Sequence, residues 1–209
     1  PKDSIYISGS EAAIVISGLT KAGDNVICVI GKVTNDDFVN MNNAIKGIAV
    51  GVTLDFSGAI FTRIPENAFN GCKMLKGIVI PACVSSIGSY AFNGCSGLKN
   101  LTIEDADEPL MLGYNAYKAH YGTWYSGKGL FYDCPLEHLY IGRSIEYIDY
   151  NDKVSDSDFF AYGYSAFACL RSSGLSVEIG PKLTRLSRYI FFGCGSLNNI
   201  TINSSANIT

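Results

Sequence analysis

His120 and His138 are the chain's only histidines, and neither stands in a His-Glu-x-x-His or comparable ligand spacing. A surface or packing role suits each of them. Asp149, Asp152, Asp156 and Asp158 bring four carboxylates close together in sequence, and calcium takes several such oxygens. Their order lacks the Asp-x-Asp-x-Asp-Gly of a calcium loop, so a solvated acidic loop is the simpler reading. The same holds for the run from Glu104 to Glu108, read as an exposed turn. Seven cysteines leave one over from any complete disulfide pairing. Nucleophilic catalysis by Cys and His needs a partly exposed, activated thiol. Gly-x-Ser-x-Gly, P-loop and dinucleotide fingerprints are all missing. No catalytic residue, metal or cofactor is expected.

The remaining chemistry is aromatic. Tyr114, Tyr117, Tyr121, Trp124 and Tyr125 crowd one segment and include the only tryptophan. Tyr150, Phe159, Phe160, Tyr162 and Tyr164 crowd another. Tyr and Trp give large rigid contact area at low entropic cost, which suits a binding surface, and flat rings suit sugars. Packing of these rings on one another, as a small core under a loop, is the structural alternative. Tyr114, Tyr117, Tyr121, Trp124, Tyr125, Tyr162 and Tyr164 are the candidate ligand-binding residues.

The elements that position these side chains follow from a repeat. Ala-Phe-x-x-Cys-x-x-Leu-x-x-Ile-x-Ile recurs, most cleanly from Phe69 through Cys72 to Ile80 and from Phe92 through Cys95 to Ile103. Phe69 to Phe92 and Cys72 to Cys95 are both steps of 23 residues. A fixed period in this range marks a stacked solenoid rather than a fold around one centre. The alternating end of each copy is a strand, with Ile78 and Ile80 inward and Val79 outward, or Leu101 and Ile103 inward and Thr102 outward. Cys72, Cys95, Cys134, Cys169 and Cys194 share one point of the repeat and read as buried thiols in a ladder, while Cys28 and Cys83 fall off it.

Seven residues beyond each strand a further apolar residue is expected to close the coil: Ile87, Leu110, Ile148 and Leu186. Five residues later comes the Phe that fills the bend, as from Ile64 to Phe69 and from Ile87 to Phe92. Against that spacing, Leu110 to Phe131 carries 16 extra residues and Ile148 to Phe167 carries 14. The two insertions, near 111–128 and 149–165, enter at one register of consecutive coils and hold the aromatics.

Ahead of the repeat, Ile5-Tyr6-Ile7, Ile14-Val15-Ile16 and Val26–Ile30 read as short strands. A helix over about 35–47 follows, with Thr34 or Asn35 as its cap and Phe38, Met41, Ile45 and Ile48 on one face. Val52–Phe56 is expected to open the strand array. Residues 1–50 thus read as an α/β cap, and 51–209 as the solenoid.

A hydrophobic fraction of 47% with 17% charged residues is globular, and the net charge of −3 shows no basic stripe for nucleic acid. No apolar run is long enough to span a membrane. The chain opens Pro1-Lys2-Asp3, which fits removal of an export signal.

Ile64-Pro-Glu-Asn-Ala-Phe69-Asn-Gly-Cys72, then Ile78-Val-Ile80-Pro81 and Ser86-Ile87-Gly-Ser-Tyr-Ala-Phe92-Asn-Gly-Cys95, resemble the BspA-like leucine-rich repeat family, as does Phe191-Phe-Gly-Cys194-Gly-Ser-Leu197. The resemblance covers about residues 50–203, and the stretch from Gly31 to Gly58 is similar to a leader found in such proteins. It implies an α+β solenoid: a right-handed leucine-rich-repeat coil of parallel strands, ~23 residues per turn, behind an N-terminal α/β cap. Members are mostly surface or secreted proteins of anaerobic bacteria of mouth and gut. The implied role is adhesion, with a host or bacterial surface protein as partner and no catalysis. A carbohydrate-binding module built on the insertion aromatics is the alternative.

Overall fold

A computed structural model describes residues 4–23, 25–116, 128–147, 166–167, 170, 173–186, 190–191, 193–203 and 205. In chain order the elements are β1 (Ile5–Ser8), α1 (Gly9–Ser17), β2 (Asn25–Lys32), α2 (Asn35–Gly47), β3 (Val52–Ile60), β4 (Arg63–Ile64) and β5 (Leu75–Ile80). There follow β6 (Ser86–Ile87), β7 (Asn100–Ile103), β8 (Leu110–Leu112), β9 (Tyr114–Ala116) and β10 (Lys128–Gly129). The last are β11 (His138–Arg143), β12 (Ile145–Tyr147), β13 (Leu175–Lys182) and β14 (Leu197–Ile202). Parallel sheets with few helices make a repeat, solenoid-like fold.

The long sheet has eight strands in the order β1-β2-β3-β5-β7-β11-β13-β14. Every neighbouring pair in it is parallel. Ile78 pairs with Leu101 and Ile80 with Ile103, so the ladder carries the 23-residue step of the sequence. Parallel neighbours need a crossover; α1 and α2 supply the first two, and from β3 onward each crossover is one repeat. Its return leg forms a second parallel sheet, β12-β8-β6-β4.

Between the sheets the Phe side chains stack. Ring centroids lie 5.7 Å apart for Phe69–Phe92, 5.0 Å for Phe92–Phe131, 5.3 Å for Phe131–Phe167 and 6.1 Å for Phe167–Phe191. The cysteine at the next point of each copy gives its S–H to a carbonyl of the preceding coil. Cys95 Sγ lies 3.0 Å from Phe69 O, Cys134 Sγ 3.6 Å from Phe92 O and Cys194 Sγ 2.7 Å from Phe167 O. A small apolar side chain with a weak donor is what that site selects. The six described cysteines are all thiols: Cys28, Cys72, Cys95 and Cys134 buried, Cys194 half-buried and Cys83 exposed. Cys169 lies outside the described residues.

The bend before each Phe repeats in detail. Asn67 and Tyr90, 23 residues apart, both take the left-handed conformation, with φ of 60° and 59°. Asn93 then donates to Asn70 and Asn70 to Asn67, an amide ladder at 3.1 and 3.0 Å.

The N-terminal segment departs from its sequence reading in two ways. First, Ile14–Ile16 is not a strand. It lies in α1, where Ala12 and Ile16 are buried and Ile14 is 74% exposed. The β-branched run favours a strand locally, but β1 and β2 are parallel neighbours and need a crossover between them. Second, the array opens at β1 rather than at Val52, because β1 and β2 extend the same sheet.

The helix expected at 35–47 is α2. Thr34 caps it in a capping box: its Oγ1 accepts the Asp37 N–H at 3.3 Å, and Asp37 Oδ2 accepts the Thr34 N–H at 2.8 Å. Phe38 carries the aromatic stack into the helix, 5.9 Å from both Phe56 and Phe69 and 5.2 Å from Phe61. Buried Asn42 ties α2 to the first Phe bend, donating to Ala68 O at 2.9 Å.

The return register also corrects the sequence reading. Ile64 pairs with Ile87 and Ile87 with Leu112, so Leu112 rather than Leu110 continues that column. Leu112 in turn pairs with Tyr147. Ile148 lies outside the described residues, and Tyr147 holds the expected place. The connection from Ile103 is therefore two residues longer than the one from Ile80. The acidic run 104–108 lies in that longer connection.

Candidate functional site

The inner faces of the strands are filled by core side chains, so the outer face of the long sheet is where this fold presents differentiated groups. Alternation sends Asn100 and Thr102, His138 and Tyr140, Ser176 and Glu178, and Asn199 and Thr201 outward from β7, β11, β13 and β14. Together these side chains line an open groove of about 330 Å³ across four strands. Amide, hydroxyl, imidazole, phenol and carboxylate groups all face it. Such a set suits hydrogen-bonded recognition of an extended ligand.

The acidic run borders the groove at the ends of the strands. Glu104 Oε2 accepts the Ala82 N–H at 3.1 Å, which anchors the turn to the preceding coil. Asp105 Oδ1 accepts the Tyr140 hydroxyl at 2.9 Å, reaching forward to the next one. Lys182 Nζ lies 2.8 Å from Asp107 Oδ1, reaching from the coil after that. Burial, then the bond to Asp105 and the charges of Asp105 and Glu178, push the Tyr140 phenol up to about 12. It therefore stays a donor at any physiological pH. At the opposite margin Lys99 and Glu137 form an ion pair of 2.7 Å, which lowers the Glu137 carboxyl below its usual range.

Beneath the acidic margin sits Arg143, only 1% exposed. Its Nη1 donates to Ala82 O at 3.1 Å and its Nη2 to Pro81 O at 3.0 Å. Burial lowers its guanidinium pKa from the ordinary value. It thus ties the coil of β11 to that of β5, across the coil that carries the acidic run. Among the described residues, no three His, Cys, Asp or Glu side chains gather to hold a metal.

A family model described as BspA type leucine rich repeat region matches six copies over residues 62–117 and 157–209, just over half of the chain. The chain belongs to the BspA-type leucine-rich repeat family. No curated protein and no solved structure matches it. BspA-type repeats are binding scaffolds, generally without enzymatic activity, and are typically found on surface or secreted proteins. The coil from Phe131 to Ile141 falls between the matched stretches, yet Leu139 pairs with Leu101 and Ile141 with Ile103 in unbroken register. The BspA-type coil thus continues through residues that the family pattern skips. No described helix is long and apolar enough to cross a membrane.

Of the aromatic candidates, Tyr117, Tyr121, Trp124, Tyr125, Tyr162 and Tyr164 lie outside the described residues. So do His120 and the Asp149–Asp158 cluster. Tyr114 begins β9, which pairs antiparallel with β10 and frames the first insertion as a hairpin base. Leu112 is the neighbour of Tyr147, and Phe131 stacks on Phe167, so both aromatic segments leave and rejoin this BspA-type scaffold at adjacent points.

The sheet-face residues were not singled out by sequence reasoning, and His138 was read as a surface or packing residue. The signal that finds them is the outward position of each strand, compared from one copy to the next.

Proposed function

We propose that this chain is a non-enzymatic, extracellular recognition or adhesion protein that binds a protein of a host or bacterial surface across the outer face of its long sheet. The observation carrying this reading is the groove over β7, β11, β13 and β14. There, successive copies of one repeat position hold different polar groups. Support also comes from the family, whose repeats are binding scaffolds. In this reading residues 1–50 close the N-terminal end of a right-handed coil of ~23-residue turns, with Phe38 packed on the first rings.

The test is binding of the purified chain to a panel of matrix proteins and to a glycan array, with two variants in parallel. Thr102→Trp fills the groove without changing charge. It is expected to abolish protein binding while the melting temperature holds. Trp124→Ala/Tyr125→Ala is expected to leave that binding intact. The reverse pattern, with glycan binding lost in the aromatic variant, would replace this reading by the carbohydrate one.

A further inference from the structure

We propose that the partner lays a cationic segment on this face, with lysine or arginine side chains seated between Glu178 and Asp105 above Tyr140. The proposal rests on the sheet-face reading above and adds the chemistry of the partner.

Three observations carry it. The first is charge. Glu178 projects from the groove and is exposed, and among the described residues no cation forms an ion pair with it. Glu104, Asp105, Asp107 and Glu108 add four carboxylates at the same margin. Against them stand Lys182, already bonded to Asp107, and Arg143, buried and turned to the carbonyls of Pro81 and Ala82. The margin therefore keeps a negative excess open to solvent, and a low-dielectric sheet beneath it concentrates that field.

The second is that these carboxylates are held in place. The acidic turn lies over the two following coils because Gly142 and Gly180 leave room for it. A Cβ on Gly142 would overlap the Asp105 backbone nitrogen, and one on Gly180 would overlap both Asp105 Oδ1 and the Tyr140 oxygen. Asp105 is thus anchored through Tyr140 and still exposed. Preorganised charge loses less conformational freedom on binding than a mobile side chain does.

The third is direction. Lys73, Lys76 and Lys99 lie at the entrance ends of β5 and β7, where Glu137 offsets Lys99 alone, and Glu104, Asp105, Asp107 and Glu108 follow the exit end of β7. The face is polarised along its strands, which favours a cationic segment at one margin only.

The experiment titrates the full chain with three fluorescent peptides of equal length: alternating Lys-Ser, Glu-Ser and Gln-Ser. Anisotropy at low and high salt gives affinities, and amide NMR shifts locate the bound peptide. The Lys-Ser peptide alone is expected to bind, with shifts at Thr102, Tyr140 and Thr201 and weakening at high salt. Asp105→Asn/Glu178→Gln is expected to weaken it about tenfold, while the charge-matched control Glu11→Gln/Glu66→Gln changes it less than about twofold.

Unchanged affinity in Asp105→Asn/Glu178→Gln, or shifts away from the groove, overturns the proposal. Calcium that displaces the peptide and shifts the same amides also overturns it, in favour of a divalent cation at these carboxylates. If Thr102→Trp blocks a matrix protein and Asp105→Asn/Glu178→Gln does not, the sheet-face reading stands and the cationic partner falls. If neither variant alters binding, both fall.

Discussion

Along the eight strands of the long sheet, one column of side chains runs Ile5, Ile27, Leu54, Ile78, Leu101, Leu139, Val177, Ile200. The column one residue further on runs Tyr6, Cys28, Asp55, Val79, Thr102, Tyr140, Glu178, Thr201. Backbone, spacing and hydrogen bonding are shared, yet one column is uniform and the other changes at every step. Inward, each side chain must fill the space left by its copies above and below, at the packing density of an interior. Outward, water accepts almost any side chain, so the column is open to selection for recognition. Among the described residues the inner column is exposed at the two outermost strands, where Ile5 is 42% and Ile200 44% exposed.

The widest separation between the two faces is expected from Phe92→Ala. Phe92 is fully buried between Phe69 and Phe131. Its truncation should lower stability by ~3–5 kcal/mol in urea unfolding. A loss under about 1 kcal/mol would mean that the rings do not carry the coil.

Next comes alkaline pH. Burial raises the Cys72 thiol from 9.0 to about 12, and burial raises Cys95 and Cys134 further. An unfolded chain releases these protons near the ordinary thiol value of 9.0, whereas the folded chain keeps them. The unfolded state therefore binds fewer protons above that pH. Stability present below pH 9 should fall as pH rises toward about 12. Urea titrations at stepped pH measure this, and a Cys95→Ala variant should show a shallower fall. A thiol reagent at mild pH should label exposed Cys83 well before these three.

A smaller effect is expected where the N-terminal helix meets the stack. Thr34→Ala removes the cap of α2, at ~1 kcal/mol by thermal melting. A larger loss would show that the helix positions Phe38 more stringently than packing alone.

The smallest belongs to the outer face. Thr102→Ala should shift stability by no more than ~0.5 kcal/mol. A cost near that of Phe92→Ala would erase the distinction between the faces.

The repeat was legible because its inner positions obey one steric rule in every coil. The strands at Leu75–Ile80 and Asn100–Ile103, the Phe stack and the thiol ladder could all be counted from residue spacing. The helix at Asn35–Gly47 was legible because Thr34 and Asp37 form a local cap and Phe38, Met41 and Ile45 lie on one face. Ile14–Ile16 misled because β-branching is a local preference, and the crossover between parallel strands overrules it. Leu110 misled because spacing alone does not reveal which turn absorbs two extra residues. The groove was missed for a related reason: outward positions carry no repeating pattern, so their importance emerges only when the strands are aligned side by side.

From the chain itself, then, came the period, the inward residues and the family resemblance, since each follows from residue type at a fixed separation. Only the tertiary structure decided that the sheet begins at Ile5 and that Leu112 and Tyr147 hold the return column. It alone folded the acidic turn over Gly142 and Gly180 to meet Tyr140 and Lys182. Those contacts join residues 35 and 75 positions apart. No local preference specifies them. They exist because consecutive coils stack, and stacking brings into contact what spacing in sequence keeps apart.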